Sequence, residues 1–154
     1  MNNWLLLEND GIKIPLSDDF STDYFGFIYK ITNLETGKFY IGKKSFIHNK
    51  KKKLGKKELL LIPVTRGRRP TTKREKVDSG WRTYWGSSKE LLADVKILGE
   101  NKFERVILSF HSSSKQLTYF EMMHHVRENV LFRSDSYNDN ILAKFYRKDF
   151  VTQE

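Results

Sequence analysis

The sequence predicts one small mixed α/β domain of the α+β kind, a three-stranded, mainly antiparallel sheet flanked by helices. Three observations predict it. Segments rich in aromatic and β-branched residues are separated by turn residues, two further segments open with a helix-capping pattern and continue with apolar residues at helical spacing, and 154 residues with 38% hydrophobic and 14% aromatic content suit a single core. No repeat recurs at periods of about 20 to 50 residues.

Along the chain, WLLLENDGIKIP (residues 4–15) is two short apolar runs around Asn9, Asp10 and Gly11, a hairpin signal ended by Pro15. It predicts an N-terminal β extension over residues 1–22 that is able to lengthen the sheet. From residue 23 to 154 the main domain follows. FGFIYKIT, the turn NLETG and KFYIGKK read as a second hairpin from Phe25. Ser87, three residues before Glu90, matches a capping box, and Leu91, Leu92, Val95 and Leu98 give a helix over about 88–98 that Gly99 stops. FERVILSF (103–110) is a third strand. Ser113 with Gln116 repeats the capping pattern, and Leu117, Phe120, Met123 and Val126 or Val130 form the apolar stripe of a longer helix. A polar turn and the apolar stretch Ile141 to Tyr146 close the chain.

Charge is concentrated. The formal net charge is +9, yet between Lys43 and Lys76 there are 14 Lys or Arg against Glu58 and Glu75, a local net of +12 that leaves −3 on the rest. Gly55, Pro63, Gly67 and Pro70 punctuate this insert and argue for loop rather than regular structure. Such a block is either a solvated surface arm or a phosphate-binding one, and its contrast with the slightly acidic remainder favours phosphate. The candidate contacts are Lys50, Lys51, Lys52, Lys53, Arg66, Arg68, Arg69, Lys73 and Arg74. No segment has the roughly 18 apolar residues of a membrane span, and Met1 to Gly11 lacks the basic and long apolar parts of a signal peptide, so a cytoplasmic location is expected. With no cysteine, thiol catalysis, disulfides and thiolate-held metals are excluded, and any metal must sit on oxygen or imidazole.

The second hairpin places Gly26-Phe27-Ile28-Tyr29 on one strand and Tyr40-Ile41-Gly42 on the next. It resembles the GIY-YIG nuclease family. The second tripeptide matches letter for letter, and the first is one residue longer than the signature. Order along about residues 24–142 strengthens the likeness: a basic stretch through Arg82, a serine-rich helix start at Gly86-Ser87-Ser88-Lys89, the strand FERVILSF, Glu121 in LTYFEMMHHV, and Tyr137-Asn138.

The resemblance implies a DNA endonuclease that hydrolyses phosphodiesters with magnesium or manganese, of the kind found among homing enzymes and bacteriophage genomes. It assigns Glu121 as the metal ligand, Tyr29 as general base or water-orienting group, Tyr40 as its support and Asn138 as a late supporting residue. A hard cation that keeps most of its waters needs only one or two carboxylates, so one Glu suffices. A tyrosine base requires a pKa lowered from its usual value near 10. The chain departs from the family where an Arg should follow the YIG strand: Lys43, Lys44, His48 and Lys50 stand there, and either Lys44 or Arg82 is expected to neutralise the phosphate, Arg having the better bidentate geometry.

Alternatives remain open from the residues themselves. The tyrosines read equally as core, and the protein then as a noncatalytic nucleic-acid-binding module or an RNA-binding factor using the same basic arm. Trp81, Tyr84 and Trp85 are core or base-stacking residues. Glu121 and His124, one turn apart, hint at a transition-metal pair but find no second ligand set. Homing enzymes of this type carry a separate C-terminal DNA-binding region, and only 12 residues follow Leu142. Specificity is therefore expected from the 43–76 insert, the N-terminal extension or homo-oligomer formation.

Overall fold

Near-continuous burial along the second hairpin fixes the architecture. In the computed structural model, which describes residues 3–63 and 66–150, β3 (Gly26–Asn33) and β4 (Phe39–Ser45) pair antiparallel with Tyr29 opposite Gly42 and Ile28 opposite Lys43. Because successive side chains alternate between faces, Phe27, Tyr29, Ile31 and Tyr40 share one apolar cluster, while Ile28, Phe39 and Ile41 belong to another. The sheet is thus a middle layer buried on both sides.

Its remaining strands are β1 (Trp4–Leu7), β2 (Lys13–Pro15) and β7 (Phe103–His111), in the order β2-β1-β7-β3-β4. The sheet has five strands, not the three expected. The N-terminal hairpin does more than extend an edge: β1 runs parallel to β7, Leu5 opposite Val106, and Trp4 is fully buried against Phe27 and Tyr29 with its indole N–H donating to the Trp81 carbonyl at 3.0 Å. Burial of that ring, rather than any local signal, draws the hairpin in. A bulge where β3 meets β7, between Ile28 and Tyr29, re-aims the strand beside the signature tyrosine.

Helix α2 (Lys89–Leu98) covers the tyrosine-bearing face through Leu91 and Val95, and α3 (Ser114–Arg127) covers the other through Leu117. The Ser113 hydroxyl caps α3 by accepting from Gln116 N at 3.2 Å. Two local expectations are corrected. Ser88, not Ser87, caps α2, accepting from Leu91 N at 3.3 Å. Of the expected stripe, Leu117 and Val130 are buried and Phe120 packs against them, whereas Val126 is 65% exposed; Glu121 and His125 share the inward row with Leu117 because they have partners at the sheet edge.

The insert is a second compact unit, residues 47–79, apart from the unit formed by residues up to 46 and from 80 onward. It is not the expected loop. β5 (Ile47–Lys53) and β6 (Thr72–Asp78) pair antiparallel over seven residues, joined by a segment that includes α1 (Lys56–Leu60). Glu58 accepts from Gly55 N and binds Lys73, giving this ribbon its own internal ties. After α3, residues 135–138 run along β4, and the short strands β8 (Asn140–Ile141) and β9 (Phe145–Tyr146) precede α4 (Arg147–Phe150). Among the described residues no helix is long and apolar enough to cross a membrane.

Candidate active site

The outer edge of β4 is closed by a side chain. Asn138, 4% exposed, accepts from Ile41 N at 2.9 Å and donates to Ile41 O at 2.8 Å, the two bonds a neighbouring strand would make. Tyr137 N donates to Phe39 O and Phe39 N to Asp135 O, so this segment pins β4 up to Ile41. His125, 3% exposed, directs Nε2 at the same Ile41 carbonyl from α3, 2.8 Å away, which uses the oxygen's second lone pair and fixes the proton on Nε2. Its Nδ1 is buried with no hydrogen-bond partner among the described residues.

Immediately past this clamp a cavity of about 420 Å³ opens. Its walls include Tyr40 and Ser87 on one side and Lys43, Thr118, Glu121 and His125 on the other. Glu121, its side chain 16% exposed, holds Oε2 at 3.4 Å from Lys43 Nζ and Oε1 at 4.0 Å from His125 Nε2. Lys43 also donates to Thr118 Oγ1 at 2.8 Å. Tyr40 pairs its hydroxyl with that of Ser87 at 2.9 Å, which is why Ser87 does not cap α2.

The two signature tyrosines meet over Gly42. Their rings lie 6.1 Å apart, and a Cβ at Gly42 would come within 2.5 Å of the Tyr29 hydroxyl and 2.9 Å of the Tyr40 ring. Only glycine leaves the strand low enough for both rings to lie there. Tyr29, 1% exposed, stays behind Tyr40, meets the Tyr84 ring edge-on at 6.0 Å and does not line the cavity. Burial pushes its pKa well above the usual value, with the neighbouring tyrosines and Glu121 adding to the rise. Burial raises Tyr40 as well, partly offset by the hydrogen bond to Ser87. Burial thus moves both phenols away from the lowered pKa that a tyrosine base requires.

Of the residues singled out from the sequence, the structure brings Tyr40, Glu121 and Asn138 together and sets Tyr29 directly behind them. The expected cations stand elsewhere. Lys44 shares the face of the tyrosines, its ammonium 4.2 Å above the Tyr84 ring, and Arg82 lies over Trp81 and donates to the Phe20 carbonyl at 3.0 Å. The cation at Glu121 is Lys43, one residue and one face away. Lys43, Thr118, His125 and Ser87 were not selected by sequence reasoning. The parity of the pleat would have pointed to Lys43, and the i, i+4 row through Leu117 and Glu121 to His125. His124 is not on that row.

Among the described residues no three His, Asp or Glu side chains gather as a metal cage. A single carboxylate beside hydroxyl and amide oxygens fits a hard, mostly hydrated cation and does not fit a three-ligand transition-metal site.

Comparison with known proteins bears directly on this arrangement. A family model described as "Putative endonuclease segE, GIY-YIG domain" matches residues 11–148, well over half of the chain. Comparisons with curated proteins and with solved structures gave no match. The matched span holds both tyrosine strands, the Glu121 helix and Asn138, and on that ground the chain belongs to the GIY-YIG endonuclease family.

Proposed function

We propose that this chain is a divalent-metal-dependent endonuclease that hydrolyses phosphodiester bonds of DNA at the β4 edge, in the cytoplasm of the cell that holds the DNA. The observation that carries the reading is Glu121: a carboxylate, mostly buried, that lines a cavity with a lysine on one oxygen and a tyrosine hydroxyl across the gap.

Glu121 would hold a magnesium or manganese ion, whose chemistry is to offset phosphoryl charge and acidify a bound water. The chain's own groups do the rest. Lys43, aimed by Thr118, leaves its carboxylate partner to neutralise a non-bridging phosphate oxygen. Tyr40, kept protonated by burial, orients the attacking water through its hydroxyl, with Ser87 fixing the direction of that O–H. Tyr29 supports Tyr40 from behind across Gly42. Asn138 and His125 act on position: by holding Ile41 they fix the strand that carries Tyr40 and Lys43.

Incubation of supercoiled plasmid with magnesium, and then with chelator, tests this. Nicking that needs the metal and disappears in Glu121→Ala, while a gel shift with DNA persists, is the expected result. Undiminished nicking by Glu121→Ala defeats the assignment, and binding without nicking by the native chain favours the noncatalytic module.

A further inference from the structure

The two faces of the β5–β6 ribbon differ in charge. With Lys51 opposite Arg74, Asn49 opposite Lys76 and Lys53 opposite Thr72, one face carries Lys51, Lys53, Arg74 and Lys76, with Asp78 only at its far end opposite Ile47. These four cations are exposed, and none makes an ion pair among the described residues. The other face carries Lys50, Lys52, Lys73 and Glu75, and there two of the three lysines are matched: Lys52 lies 3.4 Å and Lys73 3.7 Å from Glu75, and Lys73 also binds Glu58 of α1.

We propose that the ribbon is a groove reader for duplex DNA, entering the major groove with the Lys51, Lys53, Arg74 and Lys76 face against the phosphates. This rests on the nuclease reading and adds to it the form of the substrate and the surface that holds it. The dimensions agree. A two-stranded ribbon is about 5 Å from backbone to backbone, and a B-form major groove about 12 Å wide admits one. Same-face residues recur every ~7 Å along a strand, twice the ~3.4 Å axial spacing of phosphates on one DNA strand. Asn49, on the same face, is the neutral amide suited to a base edge. The deep, narrow major groove of A-form RNA would not admit the ribbon. Lys52 and Lys73, grouped with the others when charge alone is counted, are in this reading structural, and Lys50 lies on the face turned from the groove.

The test uses two double variants of the full chain with equal loss of charge from one strand: Lys51→Ala/Lys53→Ala and Lys50→Ala/Lys52→Ala. Binding to a 30-bp duplex is followed by fluorescence anisotropy in chelator over a series of salt concentrations. The first pair should weaken binding tenfold or more and lower the slope of log K against log salt by about two, since each phosphate contact contributes ~0.9. The second pair should change the slope by less than one. Equal effects from both pairs overturn the proposal, as does equal affinity for double-stranded RNA. Methyl green, a major-groove ligand, should displace the protein and distamycin, a minor-groove ligand, should not; the reverse also overturns it. Because binding is read without metal, a chain that nicks plasmid but binds without regard to face loses this proposal and keeps the nuclease. Face-dependent binding without nicking does the opposite.

Discussion

Lys43 and Lys44 are adjacent and chemically identical, yet the pleat sends one toward Glu121 and the other over the Tyr84 ring. Loss of a single charge-stabilising donor at a phosphoryl or oxyanion site costs about 10² to 10³ in kcat. Lys43→Ala is therefore expected to reduce plasmid nicking by that order while Lys44→Ala and Arg82→Ala stay within about tenfold of the native rate. Single-turnover cleavage of all three decides it, and a larger loss in Lys44→Ala or Arg82→Ala would return the phosphate role to that residue. The sequence pointed to this cluster of lysines, and the geometry sets Lys43 rather than Lys44 beside Glu121. Residue type selects a cation, but only the strand register says which side of the sheet it serves. The same limit applies to Ser87 and Ser88: either hydroxyl can cap a helix, and the choice follows from Tyr40 lying within reach of the first.

At the scale of elements, the segment 135–138 replaces a missing sixth strand. Asn138→Ala removes both bonds to the Ile41 backbone and leaves a buried N–H unpaired, a cost of about 1 to 3 kcal/mol. Amide hydrogen exchange should show Ile41 losing protection more than Ile31 on the interior strand, and equal loss at both would mean a global rather than an edge effect. Tyr137 ties the same segment to α2 and β3, donating to Asp94 Oδ2 at 2.7 Å and accepting from Asn33 Nδ2 at 3.1 Å. Burial, with Asp94 adding to the rise, pushes its pKa up to about 12. Since the folded value lies above the unfolded one near 10, this contribution to stability is complete below about pH 10 and is lost as pH rises toward 12. Denaturant unfolding at pH 9 and pH 11.5 should show a fall that Tyr137→Phe reduces. The hairpin that carries the tyrosines was legible because aromatic and β-branched residues flank a clear turn. The parallel pairing of β1 with β7 joins residues about a hundred positions apart and leaves no local mark.

For the whole molecule, the division into two units separates the groups proposed for cleavage from those proposed for binding. The apolar clusters of the larger unit draw on no described residue between 47 and 79, and Phe46 and Trp81, at its two cut ends, are in ring contact at 5.2 Å. Replacing residues 47–79 with a short Gly-Ser linker should leave a cooperative thermal transition and magnesium-dependent nicking at low salt, with nicking lost near 0.15 M salt where screening is stronger. A chain that fails to fold, or cuts equally well at both salt concentrations, would contradict that division of labour. The charge count marked residues 43–76, which overlap this unit but begin inside β4. Its ribbon form was hidden because lysine repeats carry little alternation in hydrophobicity, and the pairing is held by backbone and by Glu58 rather than by an apolar face.

Gly42 links these scales. The volume its absent methyl would fill is shared by two phenol rings, so three positions on two strands behave as one mechanical part. Change at any of them must be answered at the others, and natural variants of this enzyme should alter the trio in concert or leave it intact.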